Sequence, residues 1–202
     1  CGRSGTTFLR FLLSSNDEIY IPNECGFMPD YLKYGQFLPK KLRGKLLFNE
    51  PQLKLWYKHG SFEIVDIGHA IKKIHEANTI QTKCMCWGQK TPKFVRHMEL
   101  FNKCLGDIKW ILIYRDPRAV VSSLLKSERH TYSITQAVKR WKKDNKVIIE
   151  LMSNYQGKNI LIVKYENLIN NFNKESRRIF DDIGLKMVNL ETLKQKGRPD
   201  EY

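Results

Sequence analysis

A chain of 202 residues with 42% hydrophobic and 11% aromatic side chains can bury a sizeable core and is too apolar to be disordered. It holds no run near the roughly 18–20 apolar residues of a membrane span and no leader pattern. The formal net charge of +14 calls for an anionic partner, yet the basic residues are spread along the chain, which argues against nucleic acid as the main one. The five cysteines are odd in number, and Cys84-Met85-Cys86 lacks the two-residue spacer of zinc or redox pairs. Buried thiols, no metal site and a reducing, cytoplasmic setting are the expectation. No linker divides the chain, so a single domain over 1–202 is expected, with its oligomeric state left open.

Gly2-Arg3-Ser4-Gly5-Thr6-Thr7 is a glycine-rich turn running into an apolar helix, Phe8 to Leu13, that ends near Ser14-Ser15-Asn16. Gly2 and Gly5 allow close backbone approach, Ser4, Thr6 and Thr7 offer hydroxyls, and Arg3 adds a charged fork. The turn reads as a phosphate cradle at a helix N-terminus or as a plain helix cap. It is not the ATP/GTP loop G-x-x-x-x-G-K-[ST], whose lysine is absent. Such a loop follows a core strand, so a strand is expected ahead of Gly2. Glu18–Ile21 reads as a short strand closed by Pro22, and residues 29–62 as short helices and loops forming a lid or acceptor-binding insertion. Ile64, Ile67, Ile71 and Ile74 repeat at helical spacing.

Cys84–Trp87 is the next candidate strand, followed by the turn Gly88–Thr91 and a helix to about Leu105, with Thr91 as N-cap and Pro92 at the first position. Trp110–Tyr114 is a continuous apolar run, as in a strand buried on both faces; Asp116 caps and Pro117 opens the helix to Lys126. A long helix from about Ser133 to Met152 carries Trp141 on its apolar face. Ile160–Val163 is a second fully buried strand, and Lys174–Ile183 a helix closed by Gly184. The alternation predicts an α/β fold, three-layered, with a mostly parallel central sheet. Ligands in such sheets sit at the carboxyl ends of strands, where Gly2–Thr7, Gly88–Thr91 and Arg115–Arg118 fall.

Arg115 ends a buried strand, and Ser123 follows eight residues on within a helix. Together they can hold a second phosphate; a surface salt bridge and a helix-filling serine explain them as well. With these residues in view, the chain resembles the PAPS-dependent sulfotransferases over most of its length. Arg3-Ser4-Gly5-Thr6-Thr7 is similar to the family's 5′-phosphosulfate loop, and Arg115-Asp116-Pro117-Arg118 with Ser123 to its 3′-phosphate motif. Lys90-Thr91-Pro92 is similar to the turn of bacterial and carbohydrate-type members, and Lys164-Tyr165-Glu166-Asn167-Leu168 to the Tyr-Glu-Asp-Leu segment.

The resemblance implies a P-loop-like fold and in-line sulfuryl transfer from 3′-phosphoadenosine 5′-phosphosulfate (PAPS) to a hydroxyl or amine, leaving PAP, without a metal. The acceptor would be a carbohydrate, phenol, small metabolite or peptide tyrosine. Gly2, Arg3, Ser4, Gly5, Thr6 and Thr7 would bind the 5′-phosphate. Arg115 and Ser123 would select the 3′-phosphate, with Arg118 or Lys126 assisting, and Tyr165 would contact the cofactor or pack in the core. Glu24 stands at the position of the tyrosylprotein-branch base, while Arg3 and Lys90 would stabilise the departing charge. None of His59, His69, His75, His97 and His130 sits in the histidine-base motif of the cytosolic branch. Tyr31, Tyr34, Phe37, Trp56 and Tyr57 would line an acceptor cleft or serve in packing. The segment Lys194–Pro199 opens like the family's adenine lid, but the chain stops at Tyr202. A P-loop kinase fits poorly, because a cation, Arg115, stands where a magnesium-binding acid belongs. A basic nucleic-acid module would leave Glu24, Lys90 and the loop without a role. A non-catalytic PAP sensor is a further alternative.

Overall fold

Two parallel strand pairs, each joined through helices, organise the protein in the computed structural model, which describes residues 1–34, 67–127, 131–154 and 159–187. The chain divides into two compact units: Cys1–Ser15 with Lys109–Tyr202, and Asn16–Ile108. Parallel pairing demands a crossover connection, and helices supply it in both.

In the first unit, α1 (Thr6–Ser14) opens the chain and buries Leu9 and Leu12. β3 (Trp110–Tyr114) pairs with β4 (Ile160–Lys164) from Trp110 opposite Ile160 to Tyr114 opposite Lys164. Their crossover is α5 (Pro117–Leu125) and α6 (Ile134–Asn154), which pack on each other. α7 (Tyr165–Asn170) and α8 (Phe172–Asp182) follow β4 directly, and Phe172 meets Phe8 of α1 edge-on with ring centres 6.2 Å apart. The expected start of α5 is present: Asp116 accepts the Arg118 N–H at 2.8 Å, and Pro117 opens the helix. Gly184 closes α8 at φ 77°, its N–H reaching Asp181 O while the Leu185 N–H reaches Phe180 O. That double bond is a Schellman ending, which favours glycine because the left-handed conformation crowds a Cβ.

Burial corrects the two strands. Only Leu112 and Ile113 of β3 are buried, and β4 alternates, with Leu161 and Val163 inside, Ile160 and Ile162 half-buried and Lys164 exposed. Alternation means that one face carries most of the packing. Trp141 is likewise only partly buried, against the cluster of Cys1, Val120, Leu124 and Ala137.

In the second unit, β1 (Ile19–Tyr20) pairs with β2 (Cys86–Trp87), and α2 (Met28–Tyr34), α3 (Ile67–Thr82) and α4 (Met98–Leu105) pack together beside them. α3 buries Ala70, Ile71, Ile74 and His75, whose imidazole stacks on Trp87 at 4.2 Å between centres. A 3₁₀ segment, Pro92–His97, replaces the α-helical start expected after Thr91. The Thr91 hydroxyl does not cap it, because that oxygen accepts the Cys25 N–H at 2.9 Å. The five cysteines are thiols and not disulfides; Cys1 and Cys25 are buried, but Cys84, Cys86 and Cys104 are only half-buried, a correction to the expectation of buried thiols throughout. Ile64, most of the insertion at 29–62 (with Phe37, Trp56, Tyr57 and His59), His130 and Lys194–Pro199 lie outside the described residues. Among the described residues no helix is long and apolar enough to cross a membrane.

Candidate functional site

Gly5 is the N-cap of α1 at φ 90° and no side chain caps the helix, so its first-turn N–H groups, which have no intrahelical acceptor, carry the positive end of the helix dipole. A Cβ at Gly5 would stand 2.2 Å from Cδ2 of Tyr165, so glycine alone lets the loop lie on that ring. Arg3 adopts a left-handed φ of 67°, a conformation costing a non-glycine residue of the order of 1–2 kcal/mol. Ser4 is fully buried, and its hydroxyl has no hydrogen-bond partner among the described residues. An orphaned buried hydroxyl at the positive end of a helix and a cradle too tight for a Cβ are the features an anionic phosphate oxygen satisfies. Gly2 precedes them, and Thr6 and Thr7, the first residues of α1, are half-buried.

Side chains from two strand ends and a helix converge on this loop. Arg3 Nε donates to Ser123 Oγ of α5 at 2.9 Å, and Arg115 Nη1 donates to the Arg3 carbonyl at 3.3 Å. The Arg115 guanidinium lies 4.5 Å from the centre of the Tyr165 ring, within cation–π range. Arg3, Gly5, Arg115, Ser123 and Tyr165 thus form one contiguous constellation with two guanidinium groups. The residues assigned from the sequence to two separate phosphates are linked here by a hydrogen bond. Arg118 takes no part. Its fork grips Asp116, and that side-chain hydrogen bonding, with the Arg118 N–H, lowers the Asp116 carboxyl to about 2.

Glu166 is a residue whose part the sequence left unassigned. Its Oε1 accepts the Asp116 N–H at 3.0 Å and so holds the turn that carries Arg115. The only sequence signal was its place in the Tyr-Glu segment, because its partner lies 50 residues away.

In the second unit, residues 23–26 run alongside 89–93. Gln89 Nε2 donates to Asn23 O at 3.0 Å, Lys90 Nζ forms an ion pair with Glu24 Oε1, Cys25 N–H bonds Thr91, and the Lys93 ammonium approaches Gly26. Lys90 is largely covered, at 12% exposure, whereas Glu24 is 48% exposed. The two residues read from the sequence as base and cation are therefore partners. His75 is buried and its imidazole pushed down to about 3 by desolvation, far from a histidine base at neutral pH. Tyr31 sits edge-on to Phe27 at 5.0 Å, and Tyr34 is exposed beneath the Lys33 ammonium. Among the described residues no three His, Cys, Asp or Glu side chains gather as a metal site.

Comparison with known proteins bears on this arrangement. No curated protein sequence matches the chain. Among solved structures, the sulfotransferase domain from the curacin biosynthetic pathway superposes with a TM-score of 0.66 at 16% identity, covering 98% of this chain and 76% of that one. The sulfotransferase domain from the olefin synthase of Synechococcus PCC 7002 superposes with a TM-score of 0.63 at 21% identity, covering 95% and 72%. Both show the sulfotransferase fold, α/β with parallel strands. The sequence model described as "Sulfotransferase family" matches residues 1–189, nearly the whole chain, and the protein therefore belongs to the sulfotransferase family.

Proposed function

We propose that the protein transfers a sulfuryl group from PAPS to a hydroxyl-bearing acceptor, with Glu24 as the general base. The observation that carries this reading is the Arg3–Ser123–Arg115–Tyr165 constellation on the loop that also carries the orphaned Ser4 hydroxyl. It offers two fixed cations, hydroxyls and a helix N-terminus, the donor set for a nucleotide with phosphates at two positions. PAPS, when bound, supplies the activated sulfuryl group. The amides of residues 2–7 with Ser4, Thr6 and Thr7 bind the 5′-phosphate, Arg115 and Ser123 select the 3′-phosphate, and Tyr165 fixes the loop and Arg115 together. Arg3, on the loop, stabilises the negative charge left on the 5′-phosphate. Glu24 Oε1 is held by Lys90, so Oε2 is the atom that takes the acceptor's proton, while Lys90 fixes the carboxylate's orientation and adds positive charge. The acceptor class is a carbohydrate, phenol, small metabolite or peptide tyrosine.

Calorimetric titration with PAP, and separately with ATP plus magnesium, tests the reading. Micromolar or tighter PAP binding is expected, weakened roughly 10- to 100-fold by Arg115→Ala or Ser123→Ala, as for the loss of charge-assisted hydrogen bonds. A preference for ATP with magnesium would overturn it.

A further inference from the structure

α6 touches the anion loop at its first two residues. Cys1 is buried with Val120 and Leu124 of α5 and Ala137 of α6, and Tyr132 and Trp141 pack against that cluster. One turn beyond Ala137, the Arg140 guanidinium lies beside Gly2, close enough that a Cβ built on Gly2 would be in van der Waals contact with Nη2 at 3.4 Å. Several contacts fix the guanidinium there. Nη1 donates to the Tyr132 hydroxyl, and the group stands 5.4 Å from the centre of the Tyr132 ring. Nε is 3.9 Å from the carboxylate of Asp144, a residue one turn further along α6 and 2% exposed. A carboxylate so deeply buried calls for a nearby cation, and a planar guanidinium can face a carboxylate, a phenol and a backbone at once where an ammonium cannot.

We infer that Arg140 is a positioning residue for the anion loop, acting through Gly2 and oriented by Asp144 and Tyr132. The loop has little freedom to place itself otherwise. Arg3 is in a left-handed conformation, so its backbone holds only because its surroundings over-determine it. Ser123 and Arg115 secure Arg3 directly, and Arg140 sets the stand of the residue before it. The guanidinium also adds a positive charge beside the loop, which favours an anion there. This inference rests on the reading of the loop as the PAPS site.

The test compares wild type with Arg140→Lys, Arg140→Leu and Asp144→Asn of the full chain, by PAP calorimetry, thermal unfolding and steady-state sulfuryl transfer with varied PAPS and varied acceptor. Arg140→Lys is expected to fold with a melting temperature near that of wild type but to bind PAP about tenfold more weakly. KM for PAPS rises in parallel while KM for the acceptor stays unchanged, a split that general loss of stability does not produce. Arg140→Leu exceeds that loss, or fails to fold, in which case the lysine variant decides. Asp144→Asn shifts PAP affinity in the same direction by less. Wild-type PAP affinity in Arg140→Lys, or equal rises in both KM values, overturns the positioning role. Failure of the wild type itself to bind PAP overturns the nucleotide reading and this inference with it.

Discussion

Glu24 owes its candidacy to position and its working geometry to Lys90. With half its side chain exposed it is reachable by an acceptor, and with Oε1 on the lysine ammonium it has one oxygen left for a proton. Glu24→Gln keeps the shape and an oxygen that can accept from the Lys90 ammonium, but has no basic oxygen. Turnover is expected to fall by roughly 10²–10⁴ with PAP affinity unchanged, read by steady-state kinetics beside calorimetry. Turnover within threefold of wild type would remove Glu24 as the base. At this scale the sequence was a partial guide. The residue types at Gly2–Thr7, Arg115 and Ser123 are ones that can bind an anion, and they fit a helix cap and a surface salt bridge as well. Their joining does not show in a string of letters: Arg3 and Ser123 lie 120 positions apart, Glu24 and Lys90 lie 66 apart. Arg140 and Asp144 stand one helical turn apart, a legible spacing, yet nothing local connects them to Gly2.

Elements were legible where their signals are self-contained. The Asp116-Pro117 start of α5 and the Gly184 end of α8 use partners within a few residues, and both appear as expected. Thr91 takes the N-cap position with Pro92 after it, as expected, but its hydroxyl does not cap, because it serves a backbone N–H from a distant segment, a competition no local rule anticipates. The helix α3 carries a pH dependence of its own. His75 goes from 6.5 in the unfolded chain to about 3 in the folded protein because burial disfavours its charged form. Below pH 6.5 the unfolded chain takes up a proton that the folded protein refuses, so stability falls as the pH drops from 6.5 toward 3 and is fully present above it. Between pH 7 and pH 5 the loss attributable to this group is about 2 kcal/mol. Urea unfolding of wild type and His75→Gln at both pH values checks it, since the glutamine variant should lack that increment. Equal losses in the two proteins would mean that other groups carry the acid sensitivity.

For the whole molecule the governing quantity is the net charge of +14. Two of the positive charges, Arg3 and Arg115, are committed to one constellation, and many of the lysines are exposed on helices, as Lys139, Lys142, Lys143 and Lys146 are on α6. A field of that sign draws in an anionic nucleotide and is screened by salt. PAP affinity is therefore expected to fall steadily as sodium chloride rises from 50 to 500 mM, whereas an uncharged acceptor's KM stays flat; salt-independent PAP binding would count against an electrostatic site. The α/β class with parallel strands was legible from the alternation of apolar runs and helical periods. The depth at which each strand lies was not, because a run such as Ile160–Val163 reads the same whether one face or both are covered.

The left-handed backbone at Arg3 sets a limit on engineering this protein. Glycine or asparagine there would relax the chain and raise stability, but would discard the guanidinium that reaches Ser123. Lysine would keep the charge and the strain together while losing the fork. Among these choices none keeps both a relaxed backbone and the fork to Ser123, so a programme that selects variants for heat resistance alone would drift toward losing that hydrogen bond.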